Sequence, residues 1–282
     1  MKKITLSSEI ILQIIKQYQS GLSLAKVGKQ FFVSDEYIRE LLHKNNIHVR
    51  KYSEINRKHK VNEDYFSAID TEEKAYFLGL LFSDGNVHAK YNSVVLKLQE
   101  KDKDILIKLS HIIMDKELLY KSEDNYVLKF SSYKIKQDLI NLGCMPNKTF
   151  KLQFPQIDEK LYHHFIRGYF DGDGSIIRYK NDFCISLIST ENFCQAVNFI
   201  IFDQLSISGK MNKDKEMLAR GNDITSILLY QGNRRIQKIL DWLYKDATIY
   251  LERKYQRYLE LKLWIENVDR RMPNRINMHK AL

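Results

Sequence analysis

Cysteine and proline are both scarce in this sequence of 282 residues. Its three cysteines, Cys144, Cys184 and Cys194, include no Cys-x-x-Cys pair, so neither a disulfide framework nor a cysteine zinc site has a basis in the sequence. Only three prolines occur, which leaves helices and strands largely unbroken. No stretch approaches the roughly 18 apolar residues of a membrane span, and no targeting segment is evident. We therefore expect a cytoplasmic protein without a membrane partner, from a bacterial or phage-infected cell or from an organelle.

Acidic residues are too few to balance the basic ones. The chain has 45 Lys and Arg against 35 Asp and Glu, a net charge of +10. Basic residues outnumber acidic ones 12 to 5 in residues 1–60 and 8 to 3 in residues 253–282, whereas residues 61–252 are slightly acidic. Basic ends suit a polyanion and an acidic centre suits cations. Because 44% of the residues are apolar, we expect a folded globular protein.

The first fifty residues have three short helical periods. Ser8, Ser23 and Ser34 are candidate N-caps, and a tight turn is predicted at 32–34. This unit resembles the helix-turn-helix of resolvase and invertase type, with Ala25 as the small residue of the second helix and a hydrophobic residue before Ser34 at the turn. The resemblance implies DNA contacts from the start of the third helix. They are Ser34, Glu36, Tyr37, Arg39 and Glu40. An ordinary three-helix bundle with a solvated charged face is the alternative.

A basic connector follows these helices. Residues 49–60, "VRKYSEINRKHK", have no apolar period, and we predict that residues 51–61 form a linker that lies along phosphates. Arg50, at the start of the connector, is predicted to contact DNA.

The centre of the chain contains one motif twice. "AYFLGLLFSDGNV" at 75–87 matches "HFIRGYFDGDGSI" at 164–176 position by position, with an offset of 89 residues. The segments that follow each copy are also alike, with two strands, a helix, two more strands and a further helix predicted in each half. In the first half these lie at 88–99, 103–114, 118–131 and 134–142, and in the second at 175–189, 191–204, 207–230 and 234–244. A duplication explains this pattern.

The two motifs are physically consistent with a pair of packed helices. Gly79 and Ser83 lie four residues apart on one helix face, as do Gly168 and Gly172, so each helix has a stripe on which another backbone can approach closely. Gly85 and Gly174 are predicted to end the helices as C-caps. The residue before each of them is an aspartate, which is unfavourable at a helix C-terminus by roughly 0.3 to 1 kcal/mol. Using Asp twice at this place points to binding of a divalent metal.

"FLGLLFSDG" and "IRGYFDGDG" resemble the two signature helices of a single-chain LAGLIDADG homing endonuclease. The resemblance covers residues 61–261 and implies an α+β fold, with two pseudo-symmetric αββαββα halves that form a DNA-binding saddle behind the small all-α helix-turn-helix domain. The domains expected are residues 1–50, the linker 51–61, the repeats 62–158 and 159–262, and a basic tail 263–282 that carries Arg270, Arg271 and Arg275. Asp84 and Asp173 match the family's metal-binding acidic position. The family's motif has another acidic position, two residues before the metal-binding one. It is Asp171 in the second copy but Phe82 in the first, and we interpret this position as mainly structural.

The resemblance also implies the chemistry. Two or three Mg²⁺ ions, which Mn²⁺ or Ca²⁺ can replace for binding, would be held by Asp84 and Asp173, and the product would be a double-strand break with short 3′ overhangs. Lys148 and Lys254 match the place of an active-site lysine. Gln99 matches a water-positioning residue, with Ser189 as its counterpart, so the two sites are expected to be unequal. The carbonyl of Ser83 is not assigned as a ligand. Surface or phosphate-contacting roles remain open for both lysines and for Gln99.

Strand alternation suggests which side chains read DNA. On "NSVVLKLQ", Lys97 and Gln99 share one face and Val94, Leu96 and Leu98 share the other. We therefore predict that Lys97 and Gln99 point toward the groove. Similar candidates are Lys121, Lys129, Arg178 and Lys180, each with a solvated surface charge as the alternative.

These observations predict a monomeric, site-specific homing endonuclease that acts on a long double-stranded DNA target and is free-standing or intron-encoded. A non-cleaving transcriptional regulator on the same scaffold and an intron RNA maturase are the alternatives. Retention of aspartate at both metal positions favours the nuclease, because a regulator would be relieved of their repulsion by Asn or Ser.

Overall fold

A computed structural model describes residues 6–50, 60–214, 218–221 and 225–271. The chain divides into two compact units, residues 1–58 and 59–282. Most of the predicted linker, and the part of the predicted tail from residue 272 onward with Arg275, lie outside the described residues.

The first unit has three helices, which are α1 (Ser8–Gln19), α2 (Leu24–Gln30) and α3 (Asp35–Lys44). Ser23 and Ser34 are the N-caps of α2 and α3, as predicted, and their hydroxyls accept hydrogen bonds from Lys26 N and Tyr37 N. The N-cap of α1 is Ser7 rather than Ser8. The core of the unit is formed by apolar residues from all three helices, namely Ile14, Tyr18, Val27, Ile38, Leu41 and Leu42.

The turn between α2 and α3 is closed by a glycine. A Cβ at Gly28 would lie 2.6 Å from the carbonyl oxygen of Val33, so only glycine lets the chain return this tightly. Phe32, in the turn, has a φ of 55° and is 92% exposed. Ala25, which the sequence suggested as the small residue of the second helix, is exposed, and the small residue that the turn requires is Gly28.

The second unit contains the two predicted repeats. Repeat 1 runs in the order α4 (Glu72–Ser83), β1 (Gly85–Val87), β2 (Ser93–Gln99), α5 (Lys103–Met114), β3 (Leu119–Ser122), β4 (Asn125–Ser131) and α6 (Tyr133–Asn141). Repeat 2 runs in the order α7 (Tyr162–Asp173), β5 (Gly174–Tyr179), β6 (Asp182–Thr190), α8 (Glu191–Leu205), β7 (Lys210–Lys213), β8 (Thr225–Gln231) and α9 (Asn233–Leu243). Each repeat therefore has the expected αββαββα order, and the fold is α+β.

Each repeat builds one four-stranded antiparallel sheet. Sheet 1 has the order β1-β2-β4-β3, and sheet 2 has the same order in its own strands, β5-β6-β8-β7. Along β2 and β6 the buried side chains alternate with more exposed ones. One face of each sheet packs against helices of its repeat, α5 and α6 in repeat 1 and α8 and α9 in repeat 2. We call the opposite face of each sheet its open face.

Helices α4 and α7 pack backbone to backbone, as the glycine stripes predicted. A Cβ at Gly79 would lie 2.7 Å from Tyr169 N, and one at Gly168 would lie 2.8 Å from the carbonyl carbon of Tyr76. Gly85 and Gly174 do not end the helices in the left-handed conformation, since φ of Gly174 is −88° and Gly85 already belongs to β1. They are glycines for a different reason, because a Cβ at either would lie 2.5 Å from a carbonyl oxygen in the last turn of its own motif helix.

A last helix, α10 (Glu252–Arg271), was not predicted from the sequence. It packs against α9 and β5, and the first part of the predicted basic tail, up to Arg271, is helical. Among the described residues, no helix is long and apolar enough to cross a membrane.

Candidate active site

Asp84 and Asp173 lie at the adjoining C-terminal ends of α4 and α7. Asp84 is the C-cap of α4 and Asp173 is the last residue of α7. A Cβ at Gly172 would lie 2.5 Å from Asp84 Oδ2, so the first carboxylate touches the backbone of the opposite helix beside the second aspartate. Both aspartates are exposed to solvent. The geometry therefore presents two carboxylates together at the surface, where a phosphate can reach them.

The environment raises the pKa of both carboxyl groups. For Asp84, burial of its surroundings and the charge of Asp173 raise the pKa to about 6, against the opposing effect of the nearby cations. Burial also raises the pKa of Asp173, and the Tyr169 hydroxyl acts in the opposite direction by stabilising the charged form. The ionised pair is therefore under electrostatic repulsion that a cation between the groups would relieve.

Lys148 and Lys254 hold the ends of the two motif helices in matching ways. Lys148 Nζ donates to the carbonyl oxygens of Ser83, at 3.2 Å, and Gly85. Lys254 Nζ donates to those of Gly174, at 2.6 Å, and Phe170. Each ammonium group thus offsets the partial negative charge at the C-terminus of the helix. The carbonyl of Ser83, which the sequence left unassigned as a metal ligand, accepts a hydrogen bond from Lys148.

Both lysines also act on the aspartates. For Asp84 the stronger effect on the pKa comes from Lys254, and for Asp173 it comes from Lys148. Each lysine thus lowers the pKa of both aspartates while it is hydrogen-bonded to the end of the motif helix of its own repeat. Lys254 is almost completely buried, and burial lowers its pKa to about 8.

A cavity of about 340 Å³ lies beside Asp173. Its polar lining includes Lys148 and Ser83 from repeat 1 together with Asp173, Tyr169 and Ser189 from repeat 2. Tyr169 donates its hydroxyl hydrogen to Ser189 Oγ, at 2.9 Å, or to the carbonyl of Ile188, at 3.1 Å. The Asp173 site is thus composed of residues from both repeats.

Arg253 is a third cation at the site that the sequence analysis missed. Its Nε donates to both carboxylate oxygens of Asp102, at 3.2 and 2.9 Å, and its Nη2 lies 3.5 Å from the carbonyl oxygen of Asp171. Its charge lowers the pKa of Asp84. The only available signal was its position next to Lys254 in "YLERKYQRY".

Gln99 lies on the open face of sheet 1, and its predicted counterpart was wrong. Gly85 pairs with Leu96 in sheet 1, and Gly174 pairs with Leu187 in sheet 2. Corresponding residues of β2 and β6 are therefore 91 positions apart, and the counterpart of Gln99 is Thr190, not Ser189. Thr190 is buried, donates to the carbonyl of Leu152 and caps α8. The two sites are thus unequal at this position for a different reason from the one predicted.

The earlier acidic residue of the second motif is enclosed by protein. Asp171 is completely buried, and its Oδ2 accepts hydrogen bonds from the Tyr76 hydroxyl and from Leu251 N, both at 2.8 Å. Its counterpart, Phe82, packs edge-on against Phe165 across the helix pair. Asp171 is therefore placed to join α7 to α4 and to the start of α10.

The predicted DNA-reading side chains divide between the two faces of the sheets. Lys97, Gln99 and Lys129 lie on the open face of sheet 1. Lys121 pairs with Tyr126, which lies opposite the buried Leu98, and bonds to Glu100, so it is on the helix-bearing face. Its predicted orientation was wrong because β3 is out of phase with the assumed alternation.

Repeat 2 shows the same division. Arg178 pairs with the buried Phe183 and donates to Glu260 of α10 at 2.6 Å, so its predicted orientation toward DNA was wrong. Lys180 lies at the tip of the β5–β6 hairpin with a φ of 55°. It is exposed beyond the end of the sheet.

The candidates in the first unit are similarly mixed. Ser34 and Tyr37 lie at the exposed start of α3, where Arg39 pairs with Glu36. Arg50 was predicted to contact DNA, but its guanidinium donates to the carbonyls of Gly21, Tyr18 and Leu22 and stacks on the Tyr18 ring. Arg50 therefore fastens the end of the unit to the α1–α2 turn, and we withdraw it as a DNA contact.

The donor set fits a hard divalent cation that also has ligands from its substrate. Among the described residues, no three His, Cys, Asp or Glu side chains gather into a metal cluster. Two exposed carboxylates with raised pKa values are nevertheless what Mg²⁺ uses, because this ion is commonly held by one or two carboxylates together with substrate phosphates and water.

Comparison with known proteins gives distant similarities. No family model matches the chain. An uncharacterized protein of Methanocaldococcus jannaschii, MJ0314, is 29% identical over 167 residues, which are 55% of this chain and 60% of that protein. The chain thus spans about 60% of the length of this curated relative.

Solved structures similar to the chain include LAGLIDADG homing endonucleases. A mutant of I-SmaMI has a TM-score of 0.49 at 12% identity, covering 73% of this chain and 96% of that one. I-LtrWI bound to target DNA has a TM-score of 0.46 at 13% identity, covering 74% and 93%. I-SmaMI bound to an uncleaved DNA target in the presence of calcium ions has a TM-score of 0.48 at 12% identity, covering 76% and 97%. At these identities the similarity concerns the fold.

Proposed function

We propose that this protein is a site-specific DNA endonuclease that uses Mg²⁺ to make a double-strand break with short 3′ overhangs. The observation that carries the proposal is the placement of Asp84 and Asp173 side by side at two exposed helix ends, with Lys148, Lys254 and Arg253 around them. Repelling carboxylates at the ends of helix dipoles are unfavourable for folding alone. Their presence is explained if the pair serves to bind cations.

The carboxylates and the lysines have separate roles in this proposal. Asp84 and Asp173 would hold Mg²⁺, which supplies activation of water and stabilisation of charge on the phosphate and on the leaving 3′ oxygen. Lys148 and Lys254 fix the positions of the helix ends and thereby aim the carboxylates. Arg253 adds positive charge near Asp84, where it supports binding of a scissile phosphate.

The DNA would lie across the open faces of the two sheets. Lys97, Gln99 and Lys129, on the open face of sheet 1, would make contacts in the groove, and Lys180 would contact phosphate. The first unit adds contacts through Ser34, Tyr37 and Arg39 at the start of α3, which lengthens the recognised sequence. Because both motif helices belong to one chain, a monomer supplies both sites.

The proposal is tested by cleavage of a duplex selected from a random library for binding to the full chain. With Mg²⁺, we expect the wild type to cut both strands and to leave 3′ overhangs when the ends are mapped. Asp84→Asn and Asp173→Asn are each expected to lower the rate by at least a hundredfold while binding of the duplex is retained. Asp182→Asn, at the end of β6 away from the motif helices, is the matched control and should cut normally.

Two results would contradict the proposal. Equal binding by all four proteins with no cutting by any of them would favour a DNA-binding regulator. Preferential binding of RNA over the selected duplex, again without cutting, would favour a maturase.

A further inference from the structure

The open faces of the two sheets differ in chemical character. The open face of sheet 2 carries five largely apolar residues, which are Ile177, Cys184, Ile188, Ile227 and Leu229. Pairing of residue 177 with 184, and of 188 with 227, places them on one side of the sheet. Ile177 is 53% exposed and Ile188 is 41% exposed. Exposed apolar patches on soluble proteins commonly mark binding surfaces.

Two of the corresponding positions of sheet 1 are lysines, whereas the counterpart of Ile227 is the apolar Val127. The register makes Lys97 the counterpart of Ile188, because they follow the equivalent residues Leu96 and Leu187. In the next strand Lys129 is the counterpart of Leu229, since Lys97 pairs with Val127 and Ile188 pairs with Ile227. The duplicated scaffold therefore presents lysines in one repeat and aliphatic side chains in the other at the same two places.

The apolar face of sheet 2 is continuous with the candidate active site. Ile188 lines the same cavity as Asp173, Lys148 and Ser189. Ser186 lies between Cys184 and Ile188 on this face, and its hydroxyl is hydrogen-bonded to that of Ser175 at 2.7 Å. Lys210 and Gln231 are exposed at the border of the same face. A ligand long enough to extend from Asp173 past Ile188 would lie on this face.

We infer that repeat 2 recognises its half of the DNA target mainly through the C5-methyl groups of thymine. The major groove offers a methyl group only at thymine, and aliphatic side chains distinguish T·A pairs by contact with it. The lysines and Gln99 of sheet 1 suit hydrogen bonds to guanine and adenine instead. The half-site under repeat 2 is thus rich in T·A pairs, and Ile177 and Ile188 determine its specificity. This inference rests on the proposed function and names the class of sequence that the site accepts.

DNA is favoured over a protein as the occupant of this face. The chain has a net charge of +10, and the apolar centre lies between the cavity at Asp173 and the basic residues Lys180 and Lys210. A phosphate backbone matches these positive borders, and a row of thymine methyl groups matches the centre. An apolar protein partner would leave the borders unmatched.

The test uses duplexes that the full chain selects from a random library in Ca²⁺, with thymidine replaced by deoxyuridine in one half-site at a time. Deoxyuridine lacks the methyl group and preserves base pairing. The half bound by repeat 2 is identified as the half whose selected bases change with the Ile177→Thr protein. We expect deoxyuridine there to weaken binding about fourfold for each methyl group contacted, the value for one buried methyl group, and to have no effect in the other half.

Variants of the protein provide the matched comparison. In Ile188→Thr the penalty for deoxyuridine should shrink at the contacted position, whereas in Val95→Thr, on the open face of sheet 1, it should stay unchanged. No penalty in either half, or a penalty confined to the half bound by repeat 1, would overturn the inference. Self-association that Ile177→Thr abolishes, together with no deoxyuridine effect, would assign the face to a protein contact and also overturn it.

Failure of the inference is distinguishable from failure of the proposed function. A protein that cuts its target without any deoxyuridine effect is a nuclease that reads DNA differently. A protein that shows the deoxyuridine effect but never cuts retains the inferred recognition without the nuclease activity. Failure to enrich any duplex contradicts both.

Discussion

At Asp84 the protonation state that favours folding differs from the one that would bind a cation. Its pKa is raised to about 6 by its surroundings and by Asp173, whereas the usual value is 3.8. Between these two values the folded state binds more protons than the unfolded chain. Stability therefore falls as the pH rises through this window, and the ionised form that binds a cation is the form that folding disfavours.

We predict that Asp84→Asn stabilises the protein in the absence of metal. The gain in free energy of unfolding should be about 1 kcal/mol or less at pH 8, since solvent screens an exposed group, and it should shrink at pH 5, where the wild type is largely protonated at this site. Denaturant unfolding at the two pH values measures it. Asp182→Asn serves as the control and should show no such gain. A variant that is less stable than the wild type at pH 8 would contradict the electrostatic account.

The helix pair is the element that brings the aspartates together. Its closest contacts are between backbone atoms at Gly79 and Gly168, while Gly172 faces the side chains of Ser83 and Asp84. An added methyl group that meets backbone atoms can be accommodated only if the helices separate. One that meets a side chain can be accommodated by a change of rotamer. The three glycines therefore differ in what a methyl group would disturb.

Gly168→Ala should separate α4 from α7. Overpacking of this kind costs about 1 to 3 kcal/mol, and we expect the larger part of that range in thermal unfolding, together with loss of cleavage. Gly172→Ala should cost less stability, because the Ser83 and Asp84 side chains can turn away, but it should still reduce cleavage by displacing Asp84. If Gly172→Ala proves the more destabilising of the two, the contact at Gly168 is not the one that holds the helices together.

The order of elements in the repeats followed from the sequence because each has a clear period. On β2 the alternation of Leu96 and Leu98 with Lys97 and Gln99 predicted both the strand and its buried face. The glycine stripes predicted the helix pair, because glycine destabilises a solvent-exposed helix and is favoured where a second backbone packs closely against it. Local patterns of this kind can be recognised in the sequence because the spacing of apolar residues follows the face of the helix or strand that is buried.

Other features depend on contacts that no local pattern records. Helix α10 is an exception, because its buried Tyr258, Leu261 and Ile265 have helical spacing and could have been recognised. The counterpart of Gln99 was misassigned because the hairpin of the second repeat is two residues longer than that of the first, which changes the offset from 89 to 91 residues. Arg50 looked like a free basic residue, yet its partners, the carbonyls of 18, 21 and 22, lie about thirty positions away. Sequence alone cannot place such long-range partners.

At the scale of the whole molecule, the duplication produces two unequal halves around one composite site. Lys148 and Ser83 of repeat 1 line the same cavity as Asp173 and Tyr169 of repeat 2, so the site is built from both repeats. The Asp84 side has Arg253, and the Asp173 side has Tyr169 and an adjoining cavity. The open faces also differ, because Lys97 and Lys129 of sheet 1 correspond to Ile188 and Leu229 of sheet 2. A single chain with two such halves suits a target whose half-sites differ.

The central claim is that Asp84 and Asp173 together hold divalent cations against bound DNA. The most direct measurement is calorimetric titration of Ca²⁺ into the complex of the full chain with its selected duplex, for the wild type, Asp84→Asn, Asp173→Asn and the control Asp182→Asn. We predict that the wild type and the control bind Ca²⁺ and that each motif variant loses at least one bound ion or binds it at least tenfold more weakly. Unchanged Ca²⁺ binding in both motif variants would contradict the account.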